Sequence, residues 1–393
     1  MARPKTILRD MRPLAYSTNL HAAESAAEIA EAMNNFAGPL RNALGWDWLG
    51  VDLRLGSLAL RGDLQILRRM LDHHRLSAHT LNGFPLRPFQ AVRVKEDAYL
   101  PDWSEPGRLD DSLRLIDAAL LLSDDPLVTI STCPGSFRPL GPQRNRPDAF
   151  ATALGSWAAA AYLAWRRTNR VVVLCLEPEP WCQLETSWDV AAFWSGPLIK
   201  VGIVSAAGLL DGDLVAARQA VEQHLGVCFD TCHLSVAFED QTAAMARMRA
   251  AGVRIAKIQV SAAPEADARD PAQVAALAAM AEPRFFHQTA VSDGAGSLSR
   301  SVDLDGLGGA LSRLPGARTA RSHFHVPIDV VRLANGLATT AADSRIGLVS
   351  GLASGCAHVS VETYTWPLLA ADDRARRDGT ARELATLAEW VGG

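Results

Sequence analysis

Features that mark several common protein classes are missing from this sequence. No glycine-rich turn follows an early apolar strand, which argues against a doubly wound sheet that binds a dinucleotide. The six cysteines include no Cys-x-x-Cys pair, and most stand inside apolar segments, so they predict small core residues rather than a disulfide framework. Lysine and arginine do not cluster and the formal net charge is -4, which argues against a nucleic-acid partner.

Long hydrophobic runs are also missing. Charged residues and prolines interrupt the apolar runs of residues 1–17, so this segment has no signal-peptide core. Residues 150–165 are rich in alanine, but they are fewer than the roughly 20 apolar residues that a membrane span needs. We therefore expect a cytoplasmic protein without membrane insertion, in which residues 150–165 form a buried helix.

The sequence does contain a repeated pattern of apolar strands that end in polar side chains. Three of these strands end in Glu177, Asp230 and Glu362, and segments with helical periodicity separate them. In a (β/α)8 barrel the strands are buried on both faces, and the functional residues lie at the carboxyl ends of the strands. The pattern therefore predicts an α/β protein with the fold of a (β/α)8 TIM barrel.

The strand-like segments number more than eight. After the predicted seventh strand, residues 254–261, three further strand-like runs remain, at residues 285–291, 319–327 and 357–364. We assign the last run to the barrel because it contains Glu362. The whole chain, residues 1–393, is then predicted to be one barrel domain, with an insertion at about 262–356 that still reaches the active face.

The residues at the strand ends are suited to bind a divalent metal ion. Asp230 and His233 form an Asp-x-x-His motif that can direct a carboxylate and an imidazole at one ion, and Glu177 and Glu362 add carboxylates from other strands. Such a mixed set of nitrogen and oxygen ligands suits Mn²⁺, Zn²⁺, Co²⁺ or Fe²⁺. The alternative is a buried ion-pair or hydrogen-bond network at the mouth of the barrel.

Further ligands are predicted from the second half of the chain. Gln259 stands at the end of the seventh strand, where a ligand is expected, although an amide is a weak ligand and equally suits a structural hydrogen bond. The segment from His323 to His325 places two imidazoles on one face of a strand. We include Gln259 and His325 in the predicted metal set, with His287 and His323 as other sources of nitrogen.

Other polar side chains near strand ends predict contacts with a substrate. The long irregular segment at residues 86–108 predicts a lid or a binding loop, because loops of this length in compact domains usually carry function. The predicted substrate-binding residues are Asn19, His21, His79, Asn82 and His287.

The sequence resembles the xylose-isomerase-like TIM-barrel superfamily in the ends of its strands, which are His79, Glu177, Asp230-x-x-His233 and Glu362. This superfamily includes sugar isomerases, keto-sugar epimerases and an endonuclease branch. The resemblance implies that Glu177, Asp230 and Glu362 bind the metal, with His233 near the metal or the substrate. Where the epimerases have a histidine ligand in the seventh strand, this chain has Gln259.

A closer resemblance extends over nearly the whole chain. The motifs that carry it are YSTNLHAAES, TLNGFP, VKEDAYLPDW, STCPGS, LGVCFDTCHLSVAFED, KIQVS, HFHVP and VETYTW. In combination they make the sequence similar to the EboE-type "metabolite traffic" family. That family is associated with a gene cluster for making or moving secondary metabolites, which implies a small-molecule metabolite and other proteins of the cluster as partners.

These observations leave three hypotheses for the function. The first is a metal-dependent enzyme that isomerises or epimerises a small polyhydroxylated or carbonyl-bearing metabolite, with Glu177 and Glu362 as catalytic residues that exchange a proton with the adjacent carbon. The second is metal-dependent hydrolysis of a small phosphoester. The third is a protein that binds a metabolite without changing it.

Overall fold

The computed structural model describes residues 13–392, and eight parallel strands of this region close into a barrel. The signal-peptide prediction rests mainly on residues that lie outside the described range. Around the barrel the order is β1-β13-β7-β6-β5-β4-β3-β2. The bounds are β1 Ala15–Ser17, β2 Leu49–Arg54, β3 Leu76–Asn82, β4 Leu127–Thr132, β5 Val171–Leu176, β6 Leu225–Asp230, β7 Ile255–Val260 and β13 Val359–Val361.

Helices surround the barrel and separate its strands, as the alternating pattern predicts. Aspartates begin several of them: the Asp240 carboxylate accepts from the backbone N–H of Ala243 (2.7 Å), and Asp213 caps another helix in the same way. The bounds are α1 Ala26–Ala32, α2 Gly38–Leu44, α3 Gln65–His74, α4 Pro106–Leu122, α5 Pro147–Thr168, α6 Ser187–Phe193, α7 Ile203–Gly208, α8 Leu214–His224, α9 Thr231–Val236, α10 Gln241–Ala250, α13 Ala341–Ala353, α14 Trp366–Leu369 and α15 Asp373–Gly392.

Between β7 and α13 the chain leaves the barrel and forms a second sheet, which we call the inserted sheet. Its five antiparallel strands lie in the order β10-β9-β11-β8-β12 and pack on two helices through an apolar cluster of their own. The bounds are β8 Pro264–Asp267, α11 Pro271–Ala278, β9 Thr289–Ser292, β10 Leu298–Ser301, α12 Leu307–Arg313, β11 Thr319–Ser322 and β12 Ala338–Thr339.

This topology confirms the (β/α)8 barrel and the choice of its eighth strand. β13 pairs with β7 on one side and with β1 on the other, so it closes the barrel. The other two strand-like runs provide β9 and β11 of the inserted sheet. Helix α13 packs against β7 and α10 in the position of a barrel helix. The assignment of one domain with an insertion at about 262–356 stays a prediction.

One helical segment, Ser187–Gly208, is long and apolar enough to cross a membrane by length and composition alone, and 44% of its most apolar window is buried. It is not the alanine-rich segment noted in the sequence, which lies within α5. The two segments pack so closely that a side chain at Gly155 of α5 would not fit, since its Cβ would lie 2.1 Å from the carbonyl oxygen of Gly202. The apolar segment Ser187–Gly208 therefore packs against a neighbouring helix of the barrel.

Candidate active site

Three histidines converge at the carboxyl end of the barrel. His233 lies in the first turn of α9, which begins directly after β6, while His323 and His325 follow β11 of the inserted sheet. The Nε2 atom of His325 lies 3.1 Å from Nε2 of His323 and 3.4 Å from Nε2 of His233. All three side chains are buried.

Hydrogen bonds fix the tautomer of each imidazole. In every case Nδ1 contacts an oxygen that can only accept: the carbonyl of Pro178 for His233 (2.8 Å), Gln288 Oε1 for His323 (2.7 Å), and the carbonyl of Glu362 for His325 (2.7 Å). Nδ1 therefore carries the proton, and each Nε2 presents a lone pair to the others.

Three lone pairs that face one another repel unless a cation lies between them. Burial lowers the pKa of His233, and it lowers the pKa of His323 and His325 well below the ordinary value, so the imidazoles are neutral at physiological pH. A neutral imidazole with Nδ1–H held by an oxygen is the form that binds metals through Nε2. This arrangement suits a metal ion.

Two carboxylates lie beside the histidines. The Asp230 carboxylate accepts from the backbone N–H groups of Cys232 (2.7 Å) and His233 (3.1 Å), which fixes it at the start of α9. Glu177 follows β5, and among residues 13–392 its buried Oε2 has no hydrogen-bond partner. Burial raises the pKa of both carboxyls to about 7, and the charge of Asp230 adds to the effect on Glu177.

Two further buried carboxyls face the same space. Glu362 Oε1 accepts from Ser17 Oγ (3.2 Å) and Asn19 Nδ2 (2.6 Å). Glu179 Oε1 accepts from the Tyr99 hydroxyl (2.7 Å), and within the described part of the chain its Oε2 has no hydrogen-bond partner. Burial raises the pKa of each well above the ordinary value, and nearby carboxylates add to the effect.

The donor atoms form sets that could hold a metal ion. His233, His323 and His325 make one set, Glu177, Asp230 and His233 make another, and in each the ligand atoms lie within 4.8 Å of one another. His233 belongs to both sets. Because the sets combine imidazole with carboxylate, they fit a first-row transition ion better than Mg²⁺, which prefers oxygen ligands.

Gln259 presents its amide nitrogen, which cannot bind a metal, to these carboxylates. Nε2 donates to Glu177 Oε1 (2.9 Å) and lies 3.5 Å from Asp230 Oδ2, while Oε1 accepts from Cys228 Sγ (2.9 Å). The structure therefore gives Gln259 the hydrogen-bonding position considered in the sequence, rather than the position of a ligand.

The predicted substrate-binding residues fall into two groups. Asn19 and Asn82 reach the site, where their Nδ2 atoms lie 2.6 and 3.4 Å from Glu362 Oε1, so they orient a carboxyl. Of the three histidines in that prediction, His21 and His79 lie elsewhere. His21 contacts the Tyr16 hydroxyl (3.2 Å) in a separate small cavity, and His79 lies deeper in the barrel beside Ser77 Oγ (3.1 Å).

His287 is close to the site but is not available to a metal. Its Nδ1 contacts the carbonyl oxygen of His323 (2.9 Å) and its Nε2 contacts Glu282 Oε1 (2.9 Å), so both nitrogens have partners. His287 thus supports the backbone that carries His323 and belongs to none of the donor sets found among the described residues. Between the two histidines that the sequence offered as alternatives, the structure brings only His323 to the donor set.

Two groups at the centre of the site were not in the predicted metal-binding, catalytic or substrate-binding sets. His323 was given only as a possible source of nitrogen, although its spacing from His325 put both on one face. Glu179, in the Glu177-Pro-Glu179-Pro segment, was not included, although a second carboxylate two residues after the first was the available signal.

A pocket with a cavity volume of about 50 Å³ lies above these groups. Part of its wall comes from the predicted lid segment, which supplies Phe89, Lys95 and Tyr99. The backbone N–H groups of Val94 (2.7 Å) and Lys95 (2.9 Å) donate to the carbonyl oxygen of Arg284, so this segment is attached to the insertion. The pocket is therefore lined by the predicted lid segment and the insertion as well as by the barrel.

Comparison with known proteins identifies the fold. A xylose isomerase-like TIM barrel protein from Mycobacterium smegmatis, solved in complex with magnesium, matches with a TM-score of 0.51 and 14% identity over 100% of both chains. A xylose isomerase domain-containing protein from Salmonella typhimurium matches with a TM-score of 0.46 and 10% identity, over 96% of this chain and 98% of its own. The IolI protein, solved with a zinc atom, matches with a TM-score of 0.44 and 9% identity, over 97% of this chain and 96% of its own.

The fold is thus a xylose isomerase-like (β/α)8 TIM barrel. No family model matches the sequence, and the comparison with curated proteins gives no match either. The EboE-type resemblance therefore remains a prediction from the motifs. What the fold and the site define together is a class: a TIM barrel whose mouth holds a histidine and carboxylate cluster able to accept a metal ion.

Proposed function

We propose that this protein is a metal-dependent isomerase or epimerase of a small carbonyl-bearing metabolite. The observation that carries the proposal is the convergence of three imidazole Nε2 atoms with the carboxylates of Glu177 and Asp230 at the barrel mouth, where the three histidines and Glu177 line a pocket. A divalent ion held there by His233, Asp230 and their neighbours would polarise a carbonyl or hydroxyl of the substrate.

The protein's own carboxyls supply groups for moving a proton. Glu362 belongs to neither of the two donor sets that contain His233, and Ser17, Asn19 and Asn82 hold its Oε1. Glu362 therefore keeps a fixed orientation in the pocket wall while it exchanges a proton with the carbon beside the carbonyl. Glu177, whose Oε2 has no partner among residues 13–392, is the second candidate for this exchange.

The wider setting of the function follows from the sequence motifs. We propose that the protein acts in the cytoplasm on a metabolite of secondary metabolism, together with other proteins of an EboE-type gene cluster and without a nucleic-acid partner. The M. smegmatis neighbour was solved with magnesium, which supports metal binding by a protein of this fold. The imidazoles of this chain favour Zn²⁺, Mn²⁺, Co²⁺ or Fe²⁺ instead.

The first test is the metal content of the purified full chain, measured by elemental analysis. We expect about one transition-metal ion per chain, and we expect Asp230→Asn and His325→Ala to lose it. Glu265→Gln, which changes a carboxylate of the inserted sheet outside the donor sets, serves as the control and should keep the ion. Full occupancy in both site variants would contradict the proposal.

The second test follows proton exchange directly. The metal-loaded protein is incubated in D₂O with a panel of ketoses and α-hydroxyketones, and deuterium incorporation at carbon is followed by NMR. Glu362→Gln should abolish incorporation while it keeps the metal content and the melting temperature. Unchanged incorporation in this variant would remove Glu362 from the catalytic role.

A second function, hydrolysis of a small phosphoester, is favoured by one observation. The all-histidine set and the Glu177, Asp230, His233 set offer more donors than one ion requires, and hydrolytic metal sites often hold two ions that activate water and stabilise the leaving group. Two ions per chain, with turnover of p-nitrophenyl phosphate and no deuterium incorporation, would replace the isomerase with a hydrolase.

A further inference from the structure

Aromatic side chains dominate the pocket above the candidate metal site. Six of its sixteen lining residues are aromatic, whereas aromatic residues make up 6% of the whole chain. They come from the predicted lid segment and its approach, from the insertion, and from the segment after β13. They are Phe84, Phe89, Tyr99, Phe285, Phe286 and Tyr364.

These rings form two walls. In the first, Phe89, Phe285 and Tyr364 contact one another with centroids 4.9–5.2 Å apart. Tyr364 also lies 4.6 Å from the ring of His325, so this wall continues down to the candidate metal ligands. A wall of three mutually packed rings is rigid and presents carbon to the pocket.

The second wall consists of Phe84, Tyr99 and Phe286. Phe137 supports it from behind: Tyr99 stacks on Phe137 with centroids 4.1 Å apart and planes 4° apart, and Phe286 stacks on the same ring at 5.3 Å. Phe285 and Phe286 are adjacent in sequence and belong to different walls. The pocket therefore has ring-lined walls that arise from several separate segments.

Polar groups of the pocket are concentrated at the floor, where the histidines and carboxyls lie. Lys95 is the one lysine or arginine among the lining residues that the structure describes, and it pairs with Asp303 and lies 5.0 Å from the centroid of Phe286. The pocket thus offers no unpaired lysine or arginine to a phosphate group from these lining residues. Sugar hydroxyls placed against the walls would lose hydrogen bonds to water without replacement.

We propose that the substrate carries a planar aromatic ring next to its reacting group, and that the walls hold this ring while an α-hydroxycarbonyl head reaches the floor. This inference rests on the proposed function for the chemistry of the head, but the ring preference has a test of its own. It narrows the substrate from sugars in general to aryl α-hydroxycarbonyl compounds.

Two probes that share the head and differ in the ring test the inference: hydroxyacetone and 2-hydroxyacetophenone. Binding to the full chain is measured by calorimetry, with Zn²⁺ and without it, and D-xylulose represents a sugar. We expect 2-hydroxyacetophenone to bind at least about tenfold more tightly than hydroxyacetone and D-xylulose, because only its ring buries apolar surface against the aromatic lining of the pocket.

Variants in each wall test which rings produce the preference for 2-hydroxyacetophenone. Phe285→Leu changes the first wall and Phe286→Leu the second; each keeps an apolar side chain, and each should reduce the preference for 2-hydroxyacetophenone at least about threefold. Trp188→Leu removes a ring that is 65% exposed and does not line the pocket, so it should leave the preference unchanged. Melting curves confirm that the variants are folded, and the two walls provide independent readouts.

The outcomes separate this inference from the proposed function. Equal affinity for the two hydroxyketones, tighter binding of D-xylulose, or no binding of either hydroxyketone overturns the inference, even if metal is bound. A ring preference that depends on Phe285 and Phe286 in a protein that takes no metal supports the inference and overturns the metal-dependent function.

Discussion

Two neighbouring layers of charged side chains inside the barrel differ in how their charges are balanced. In the deeper layer, Lys257 Nζ lies 2.7 Å from Asp52 Oδ2 and donates to Ser131 Oγ (3.0 Å), so a positive and a negative charge meet. In the layer above it, Glu177 and Asp230 lie beside neutral imidazoles. Lys257 lowers the pKa of both upper carboxyls, but Asp52 already neutralises it.

This difference in charge balance indicates that Lys257 and Asp52 form a structural ion pair, whereas Glu177 and Asp230 belong to a binding site. Charges that a fold buries for its own stability are normally paired inside the protein, because an unpaired buried charge costs several kcal/mol. The upper layer instead needs protons or a metal ion to balance it. The strand register shows how close the layers are, since Gln259 aligns with Asp230 while Lys257 aligns with Cys228, two residues lower on each strand.

The largest expected effect comes from breaking the deeper pair. Lys257→Met leaves the buried Asp52 without its partner, and we expect the free energy of unfolding to fall by about 3–5 kcal/mol in urea denaturation. Lys257→Met combined with Asp52→Leu removes both charges and should recover most of the loss. If Lys257→Met lowered the free energy of unfolding by less than about 1 kcal/mol, the deeper layer would not depend on its ion pair, and the two layers would not differ in charge balance.

The next effect is on the upper layer, where Asp230→Asn removes a charge but keeps the oxygen that caps α9. The metal-free variant should be at least as stable as the parent. With Zn²⁺ at about 100 times its dissociation constant, the parent should gain about 2.7 kcal/mol and the variant should gain little. Equal stabilisation by Zn²⁺ in the two proteins would mean that Asp230 does not bind the ion.

A smaller effect is the pH dependence of the metal-free protein. Because burial raises the pKa of Glu177 and Asp230 to about 7, the folded state holds protons that the unfolded state releases near pH 4. Each raised carboxyl pKa by itself makes stability fall as pH rises from 6 to 8, by about 1 kcal/mol per group, while the lowered pKa values of His233, His323 and His325 act in the opposite direction. Because both proteins contain these histidines, the stability of the parent relative to Asp230→Asn should fall by about 1–2 kcal/mol between pH 6 and pH 8 in urea denaturation, and a relative stability that rises over this range would contradict the sign.

The smallest effect is expected at His21, which the structure places outside the site. His21→Gln should change stability by less than about 1 kcal/mol and leave the metal content unchanged, because His21 contacts Tyr16 in a separate cavity. The matched variant His325→Ala should reduce metal affinity at least about tenfold. A loss of metal in His21→Gln would extend the site beyond the pocket.

The barrel was predictable because its signals are local. Each strand is a short apolar run with a polar end, and the end residues Glu177, Asp230 and Glu362 lie at the same mouth of the barrel because parallel strands in a barrel end on one side. The choice of β13 as eighth strand rested on the same rule. Lys257 also left a signal, since a lysine inside a buried strand needs a partner, but the sequence did not reveal that the partner is Asp52.

The features of the site that the sequence did not predict depend on contacts between distant segments. The pairing of β11 with β8 and β9 brings His323 and His325 to the barrel mouth, and sequence spacing does not encode it. The same holds for the orientation of Gln259, which follows from Cys228 and the two carboxylates. His21 and His79 stand near strands as predicted, yet side-chain direction decides which cavity they enter.

The origin of the histidines also sets the order in which the site is assembled during synthesis. Glu177, Asp230 and His233 leave the ribosome well before His323 and His325, which belong to the insertion, and Glu362 follows near the end of the chain. A partly synthesised chain therefore exposes carboxylates without the imidazoles that would select a transition ion. Only a chain whose inserted sheet has docked on its barrel presents the complete donor set, so selective metal loading would report that folding is finished.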